Sequence, residues 1–363
     1  MKLALISVTN QGARLANNLA EQLRLNLHQV EKFAKEGRNP LGHTSYESLS
    51  GLISENFSHY EGFIFIMATG IVVRVIAPYI QDKRIDPAVV VMDEQGQYAI
   101  SLLAGHIGGA NELAVLIGEA IGAIPVITTA TDVGKKPAAD VLAVKLHRSV
   151  QPFSDLKQIN GAIVHGDRVR FFLDEKLPNQ EFYVQTAKKL GIVLDGMEDV
   201  SIAQYDAAVL ITNDVVKVDK PHVYLRSIPL AVGIGCRRGT SVTDILAAVT
   251  EACHTIGSTI EHIAIIGSTV VKEDEVGLLA LIEQLAVPSR FFVNEELQKC
   301  IDQYQLEVSS FVQKQIGVGN VCAAAAILAG RTNKLLLPKT KYKNVTVAIA
   351  PVKSQSLELV QVV

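Results

Sequence analysis

One glycine-rich segment, GHIGGAN (Gly105 to Asn111), places a titratable imidazole beside backbone that a ligand can approach closely. It follows the apolar run SLLA and precedes a helical pattern of apolar residues. Glycine adopts backbone angles that other residues avoid, and the first turn of a helix offers unpaired N–H donors to negative charge. We therefore expect His106, bare N–H groups and Asn111 to be presented together.

A second segment of related design, MATGIVVRV, carries a fixed cation in place of an imidazole. The buried strand predicted from Phe63 to Ala68 ends at Thr69 and Gly70, and the short helix that follows contains Arg74. An arginine in the first turns after a strand is well placed to bind an anionic group.

A third glycine-rich segment, GIGCRRGTS, follows the predicted buried strand Leu230 to Ile234. Its glycines are spaced G-x-G-x-x-x-G, one residue longer than the dinucleotide fingerprint, which disfavours NAD binding. Gly235, Arg237 and Arg238 remain suited to clamp a carboxylate or phosphate. The two arginines point in different directions on a helix, so we expect one to serve a ligand and the other the surface.

Composition excludes several classes of protein. The chain has 363 residues, 48% of them hydrophobic and 20% charged, with a net charge of −3 from intermixed signs. These values favour two or three packed domains and give no reason to expect nucleic acid or a membrane span. Four scattered cysteines without a C-x-x-C pair predict a reducing, cytoplasmic location. Cys236, beside two arginines, is the one whose thiolate would be favoured.

The alternation of strands and helices predicts a multi-domain α/β fold. We expect a three-layer α/β domain at residues 1–135, a small α+β middle domain at 136–227 and an α/β domain at 228–363. Ligands of such sheets bind at the carboxyl ends of the strands. Five candidate residues follow strands or lie at turns: Thr69, Gly70, Asp93, His106 and Asp132.

Two long segments resemble the CbiG family of anaerobic cobalamin biosynthesis. They are MATGIVVRVIAPYIQDKRIDPAVVVMDEQGQYAISLLAGHIGGANELA and GIGCRRGTS. The resemblance covers nearly the whole chain, and the C-terminal third is similar to the stand-alone CobE proteins. It implies a hydrolase that opens the δ-lactone of cobalt-precorrin-5A and releases acetaldehyde to give cobalt-precorrin-5B. No resident cofactor or metal is implied, because cobalt is carried by the substrate.

That chemistry requires a base, oxyanion donors and an anion clamp. His106 is the expected base, since its unperturbed pKa of ~6.5 keeps the imidazole neutral at working pH. Asp93 or Asp132 would orient it. The expected oxyanion donors are the N–H groups of Gly108 and Gly109 and the Asn111 amide. The substrate would be bound by the two glycine-rich loops of the N-terminal domain, which face a shared hollow, and by the arginine pair: Thr69, Gly70, Arg74, Gly105, Asp132, Gly235, Arg237 and Arg238.

Other interpretations stay open. His106 could be an axial cobalt ligand, and Asp93 could simply form a hairpin turn before Gly96. The chain could be a corrinoid carrier without chemistry, or a sugar-phosphate binder. At Val270, Val276 and Ala323 the sequence departs from the family pattern, which argues against acid–base chemistry in the C-terminal domain. Beyond the corrinoid substrate, contacts with other enzymes of the pathway and a homodimer are compatible with the resemblance.

Overall fold

The computed structural model describes residues 1–25, 28–83, 85–129, 134, 136–304 and 306–352. Its contacts divide the chain into two compact units, Met1–Lys136 and Pro137–Val363. The first unit holds one sheet of seven strands, and the second holds two sheets of five. The multi-domain α/β fold expected from the sequence is confirmed. No helix in the described ranges is long and apolar enough to cross a bilayer.

The N-terminal unit is built on a sheet whose strands run in the order β3-β2-β1-β4-β5-β6-β7. The strands are β1 Lys2–Ser7, β2 Gln29–Lys35, β3 Thr44–Tyr46, β4 Gly62–Ile66, β5 Ala88–Met92, β6 Tyr98–Leu103 and β7 Ile124–Val126. The helices are α1 Asn10–Leu25, α2 Leu49–Asn56, α3 Thr69–Ile76 and α4 Ala110–Ile121. β1 to β5 are parallel.

Helices cover both faces of this sheet because successive strand residues point to opposite sides. Leu5 of β1 packs in a core with Leu19 of α1 and Leu113 of α4. The neighbouring Ile6 packs in a second core with Ile53 of α2 and other apolar side chains. The three-layer arrangement follows directly from these two cores.

The direction of β6 decides where the glycine-rich loop after it lies. β6 pairs antiparallel to β5, with Leu103 beside Val89 and Ala99 beside Met92. The loop after β6 therefore lies at the edge where β5 begins, opposite the carboxyl ends of β4 and β5. The expectation that His106 lies with the other candidate residues at the carboxyl ends of the parallel strands is wrong. The strands separate the two edges by roughly 16 Å, given five residues at ~3.3 Å each.

The central part of the second unit has the strand order β10-β9-β11-β12-β8. Its elements are β8 Arg148–Gln151, β9 Val169–Leu173, β10 Leu194–Gly196, β11 Ala207–Ile211 and β12 His222–Ser227, with α5 Ala139–Lys145, α6 Leu156–His165 and α7 Gln180–Lys189. All neighbours are parallel except β8 and β12. β9 lies between two parallel neighbours, β10 and β11. The middle domain is thus closer to α/β than to α+β.

The C-terminal part has the strand order β15-β14-β13-β17-β16. Its strands are β13 Leu230–Cys236, β14 Ile263–Thr269, β15 Ser289–Phe292, β16 Leu337–Lys341 and β17 Val345–Pro351. Its helices are α8 Val242–Thr255, α9 Val276–Leu285, α10 Asn294–Tyr304, α11 Ser310–Ile316 and α12 Val321–Gly330. β13 to β15 are parallel, and β16 and β17 form an antiparallel pair at the other side of the sheet.

The alanine-rich helix α12 packs against β13 at backbone distance. A Cβ atom added to Gly233 would lie 1.8 Å from the carbonyl oxygen of Cys322 and 2.6 Å from the nitrogen of Ala326. Both neighbours are backbone atoms of the helix, so no side chain can rotate away. Glycine at position 233 is therefore a steric requirement of this contact between helix and strand.

We predict that Gly233→Ala destabilises the chain by about 3 kcal/mol or more, because the added methyl group forces α12 away from the sheet. The matched control is Gly161→Ala, in the interior of α6, where an added Cβ has no neighbour within 4 Å. That change should be stabilising by up to ~1 kcal/mol through helix propensity. Urea unfolding of the two variants measures the difference, and equal midpoints would contradict the packing argument.

Candidate functional site

A cleft opens at the carboxyl ends of β13 and β14 in the C-terminal domain. Its volume is about 800 Å³, within the range of pockets that take cofactor-sized ligands. The segment after β13 forms one wall, the segment after β14 another, and the β16–β17 turn the third. In this domain, ligand space lies where the rule for parallel strands places it.

Positive charge dominates the wall of this cleft. Its lining includes six cationic side chains: Arg237, Arg238, Lys272, Lys339, Lys341 and Lys343. No Asp or Glu belongs to the lining as far as the structure describes it. Gly235, Arg237 and Arg238 were expected here from the sequence, and the structure brings them together.

Sequence reasoning missed the lysines of β16 and the turn after it. Lys339 and Lys341 are two residues apart on β16, and both line the cleft. Lys343 follows in the turn before β17. The alternating lysines in KTKYK were a usable signal, because a two-residue period of like charges on a strand indicates a charged face.

Four of these six cations form no salt bridge among the described residues, and one of the four, Lys339, donates to the carbonyl of Gly319 at 3.4 Å. The guanidinium of Arg238 makes two 2.9 Å hydrogen bonds with the carboxylate of Asp274. By contrast, Arg237 is exposed, and within the described residues neither it nor Lys341 or Lys343 pairs with a carboxylate. One arginine of the pair is thus neutralised, while the other is available to an anionic ligand.

A buried ion pair supports the arginine segment from beneath. Lys272 Nζ donates to Glu275 Oε2 at 2.9 Å, and the backbone N–H of Gly239 donates to Glu275 Oε1 at 2.7 Å. The side chain of Glu275 is 3% exposed. Burial alone would raise the pKa of Glu275, but the hydrogen bonds from Lys272 and Gly239 outweigh burial and lower it. The pair fixes the turn that carries the arginines.

The pKa of the Cys236 thiol is not lowered by the two arginines that follow it in the sequence. Its thiol is half-buried, and burial raises its pKa, against a smaller opposing effect of the Lys272 charge. The thiolate is therefore disfavoured, and the expectation of a favoured thiolate at Cys236 is wrong. Burial outweighs the nearby cations because the thiol loses hydration.

The glycine-rich loop of the N-terminal unit, Gly105 to Asn111, is folded tightly on itself. Ala104 has φ of 55°, and a Cβ added to Gly108 would lie 2.4 Å from the Cβ of Ala104. Gly109 caps α4 with φ of 88°, and its N–H donates to the carbonyl of His106 at 3.1 Å. The donor expected from Gly109 is thus used inside the loop. The Gly108 N–H has no acceptor among the described residues, and His106 is half-buried.

Asn111 holds this loop in place through both ends of its amide. Ser101 Oγ donates to Asn111 Oδ1 at 2.6 Å, and Asn111 Nδ2 donates to Thr129 Oγ1 at 3.0 Å. Its backbone N–H donates to the carbonyl of Gly105, and a Cβ added to Gly105 would lie 2.8 Å from Asn111 Oδ1. The side chain is buried. These contacts assign Asn111 to positioning of the loop, whereas the sequence predicted an oxyanion donor.

The Thr69–Arg74 segment lies at the carboxyl end of β4, as predicted. Helix α3 begins at Thr69, and Arg74 Nη1 donates to the carbonyl of Gly70 at 3.0 Å. The guanidinium is exposed. It has no carboxylate partner among the described residues.

Asp93 closes the turn between β5 and β6. Its carboxylate accepts hydrogen bonds from the N–H groups of Gln95 at 2.9 Å and Tyr98 at 2.8 Å. Burial opposes ionisation, but these backbone donors outweigh it and lower the pKa of Asp93. Both oxygens are occupied by the turn, so the hairpin interpretation of Asp93 accounts for its contacts. Asp132, the other candidate, lies outside the described residues.

The structure does not bring the predicted N-terminal site together. Arg74 bonds to Gly70 at the edge where β4 ends, and Asp93 follows β5 at that same edge. The His106 loop lies at the other edge, because β6 is reversed. The two loops do not share one hollow within the unit, and that expectation is wrong.

Comparison with known proteins identifies the family. Three family profiles match consecutive parts of the chain: Cobalamin synthesis G N-terminal at residues 51–132, Cobalamin biosynthesis central region at 137–227 and Cobalamin synthesis G C-terminus at 230–350. The chain belongs to the CbiG family. The resemblance stated from the sequence is thereby confirmed.

The relatives below match this chain along nearly its entire length. A cobalt-precorrin-5A hydrolase of Salmonella typhimurium is 35% identical, covering 96% of this chain and 97% of the relative. A cobalt-precorrin-5A hydrolase of Priestia megaterium is 28% identical, covering 96% and 94%. A cobalamin biosynthesis protein G homologue from Sulfolobus solfataricus shares the fold, with a TM-score of 0.50, 22% identity and coverage of 97% of each chain.

The two candidate sites fall in different CbiG profiles. The His106 loop lies inside the N-terminal match, and the cationic cleft lies inside the C-terminal match. Among the described residues, no group of three His, Cys, Asp or Glu side chains is arranged to hold a metal ion.

We predict that Glu275→Gln lowers the free energy of unfolding by about 3 kcal/mol, because it leaves Lys272 buried without a counter-charge. The folded pKa of Glu275 is lowered, so its stabilising effect is present above the unfolded value of ~4.3 and is lost as pH falls through the folded value. The difference between wild type and variant should therefore shrink below pH 4.

Asp274→Asn is the matched control, since Asp274 is the adjacent carboxylate and also pairs with a cation. That pair is exposed, with 59% of the Arg238 side chain and 72% of the Asp274 side chain accessible. Exposed pairs contribute little to stability. Thermal unfolding from pH 3 to pH 8 compares the two variants, and an equal effect of both would refute the role assigned to the buried pair.

Proposed function

We propose that this chain, as a cobalt-precorrin-5A hydrolase, binds the peripheral carboxylates of the corrinoid in the C-terminal cleft and opens the δ-lactone at the His106 loop. The observation that carries the proposal is the cleft of about 800 Å³ lined by six cations. The substrate is a macrocycle bearing several acetate and propionate groups. Such a ligand needs fixed positive charges distributed over a wide surface, which this cleft provides.

The two types of cation in the cleft suit different tasks. Arg237 presents a planar fork of N–H donors that matches a carboxylate in bidentate geometry. Lys341 and Lys343 are mobile point charges that can follow flexible propionate chains. Since these three form no salt bridge among the described residues, binding a carboxylate does not require breaking an existing pair.

The base is assigned to His106. A water molecule attacks the lactone carbonyl, the imidazole takes its proton, and the N–H of Gly108 donates to the oxyanion. The liberated alkoxide then collapses to the carbonyl of acetaldehyde, and the electrons of the broken carbon–carbon bond pass to the macrocycle. The proposal rests on the half-buried position of His106 beside an N–H that has no acceptor among the described residues.

The proposed mechanism uses fewer residues than the set expected from the sequence. Asn111 and Gly105 shape the loop and are positioning residues. Gly109 is a helix cap whose N–H is already bonded. Thr69, Gly70, Arg74 and Asp93 lie at the other edge of the sheet, so the proposal gives them no part in the lactone chemistry.

We also propose a cytoplasmic location for the enzyme. Its four cysteines are all free thiols, three of them buried. Such usage is typical of proteins that work in a reducing compartment.

We predict that His106→Ala lowers the rate of acetaldehyde release by ~100-fold or more, the usual loss when a general base is removed. Corrinoid binding should persist, because the cationic cleft is untouched. His59→Ala is the control, since His59 is an exposed histidine in the same unit and should leave turnover unchanged. Acetaldehyde is measured by coupling to NADH oxidation. Unchanged turnover in His106→Ala would remove this residue from the mechanism, and no acetaldehyde from the wild type would favour a carrier.

We further predict that Arg237→Gln and Lys341→Gln each raise KM at least ~10-fold while changing kcat little, because each removes a contact to a carboxylate rather than to the reacting atoms. Lys299→Gln removes an exposed lysine that does not line the cleft and should leave KM unchanged. Steady-state kinetics at two salt concentrations tests this. An equal KM in all variants would place the corrinoid elsewhere.

A further inference from the structure

The central domain contains a buried cation that has no counter-ion among the described residues. Arg148, the first residue of β8, is 7% exposed. Its guanidinium donates to Asn213 Oδ1 at 3.2 Å, to the carbonyl of Leu225 at 3.1 Å and to the hydroxyl of Tyr183 at 2.7 Å. All three acceptors are neutral, and no described Asp or Glu forms an ion pair with Arg148. A buried charge of this kind is costly unless something neutralises it.

The titratable neighbours of Arg148 do not supply the negative charge. Burial raises the pKa of Tyr183, against the smaller lowering effect of Arg148, so its hydroxyl stays protonated and donates to the carbonyl of Gly257. Burial, together with the Arg148 charge, lowers the pKa of His262, which keeps that imidazole neutral. Its Nε2 lies 3.1 Å from Asn213 Nδ2.

A small cavity adjoins this arginine. It is about 10 Å³ in volume and is lined by His147, Arg148, Ser227, apolar side chains and the segment from Ile256 to Ser258. That volume corresponds to one particle of the size of a water molecule. Arg148 Nε and Ser227 Oγ are buried and find no hydrogen-bond partner in the described residues. The two residues that carry these unsatisfied donors, one of them charged, thus line the same small cavity.

We propose that this cavity binds one monatomic anion, a halide such as chloride, held by the N–H of Arg148 Nε and the hydroxyl of Ser227. A halide accepts hydrogen bonds from both donors and neutralises the guanidinium, whereas a water molecule satisfies the donors and leaves the charge. Phosphate, sulfate and carboxylates are too large for the space. His147 also lines the space, but burial lowers its pKa and favours the neutral imidazole, so the positive charge of the lining comes from Arg148.

The anion would strengthen the contact between the central and C-terminal domains. Arg148, Tyr183 and Ser227 belong to the central domain, and Gly257 follows helix α8 of the C-terminal domain. Nearby, Asn179 Nδ2 donates to the carbonyl of His254 at 3.1 Å across the same boundary. A halide beside Arg148 stabilises the guanidinium that holds the Tyr183 hydroxyl against Gly257. Halide binding should therefore raise the stability of the folded chain.

Thermal unfolding at constant ionic strength tests this inference. With sodium gluconate replaced stepwise by sodium chloride or bromide, the Tm of the full chain should rise saturably by several degrees, because a ligand of the folded state stabilises it by mass action. Sodium gluconate serves as the reference, since its anion cannot enter the cavity. An identical Tm in gluconate and chloride would overturn the proposal.

Two variants separate the site from general salt effects. Ser227→Ala keeps the fold and removes one donor, so the halide concentration at half-maximal stabilisation should rise ~10-fold. Arg168→Gln removes an exposed arginine of the same domain, paired with Asp206, and should keep the full halide response. An unaltered response in Ser227→Ala would contradict the assignment. A bromide-soaked crystal should give an anomalous peak beside Arg148 Nε, and density for water without that peak would also contradict it.

Discussion

Fixed positive charge, held at the carboxyl edge of the C-terminal sheet, is the constraint on which the proposed function of this chain depends. Like charges repel, so six cations around one cleft persist only because the fold holds their backbones in place. The buried Lys272–Glu275 pair anchors the arginine turn, and the exposed Asp274 neutralises Arg238. Arg237, Lys341 and Lys343 form no salt bridge among the described residues, so a polycarboxylate can neutralise their charges.

In the N-terminal unit, the direction of strand β6 separates the candidate residues between two edges of the sheet. The turn closed by Asp93 reverses the chain, and β6 then delivers the His106 loop to the edge opposite Arg74. Inside the loop, the hydrogen bonds of Asn111 with Ser101 and Thr129 fix the entry into α4. These hydrogen bonds position the loop, as the proposed role of His106 as a base requires.

Much of this fold could be predicted from the sequence, since its strands are continuous apolar runs bounded by glycine turns. The residues Asp93 to Gly96 are compatible with a hairpin turn, and such a turn reverses β6 relative to β5. The rule that ligands bind at the carboxyl ends of strands holds only for parallel strands, so it misplaces His106. The lysines of β16 had a readable two-residue period. The sequence does not predict that Arg148 is buried without an acidic partner among the described residues. That environment is formed by segments that are far apart in the sequence and meet around one side chain.

A crystal structure of the chain with the corrinoid product bound tests the central claim most directly. The account predicts acetate or propionate oxygens of the macrocycle within hydrogen-bonding distance of the Arg237 guanidinium and of the Lys341 ammonium group. It also predicts that Arg238 remains paired with Asp274. A corrinoid bound with its carboxylates in solvent, or at residues outside the C-terminal cleft, would contradict the account.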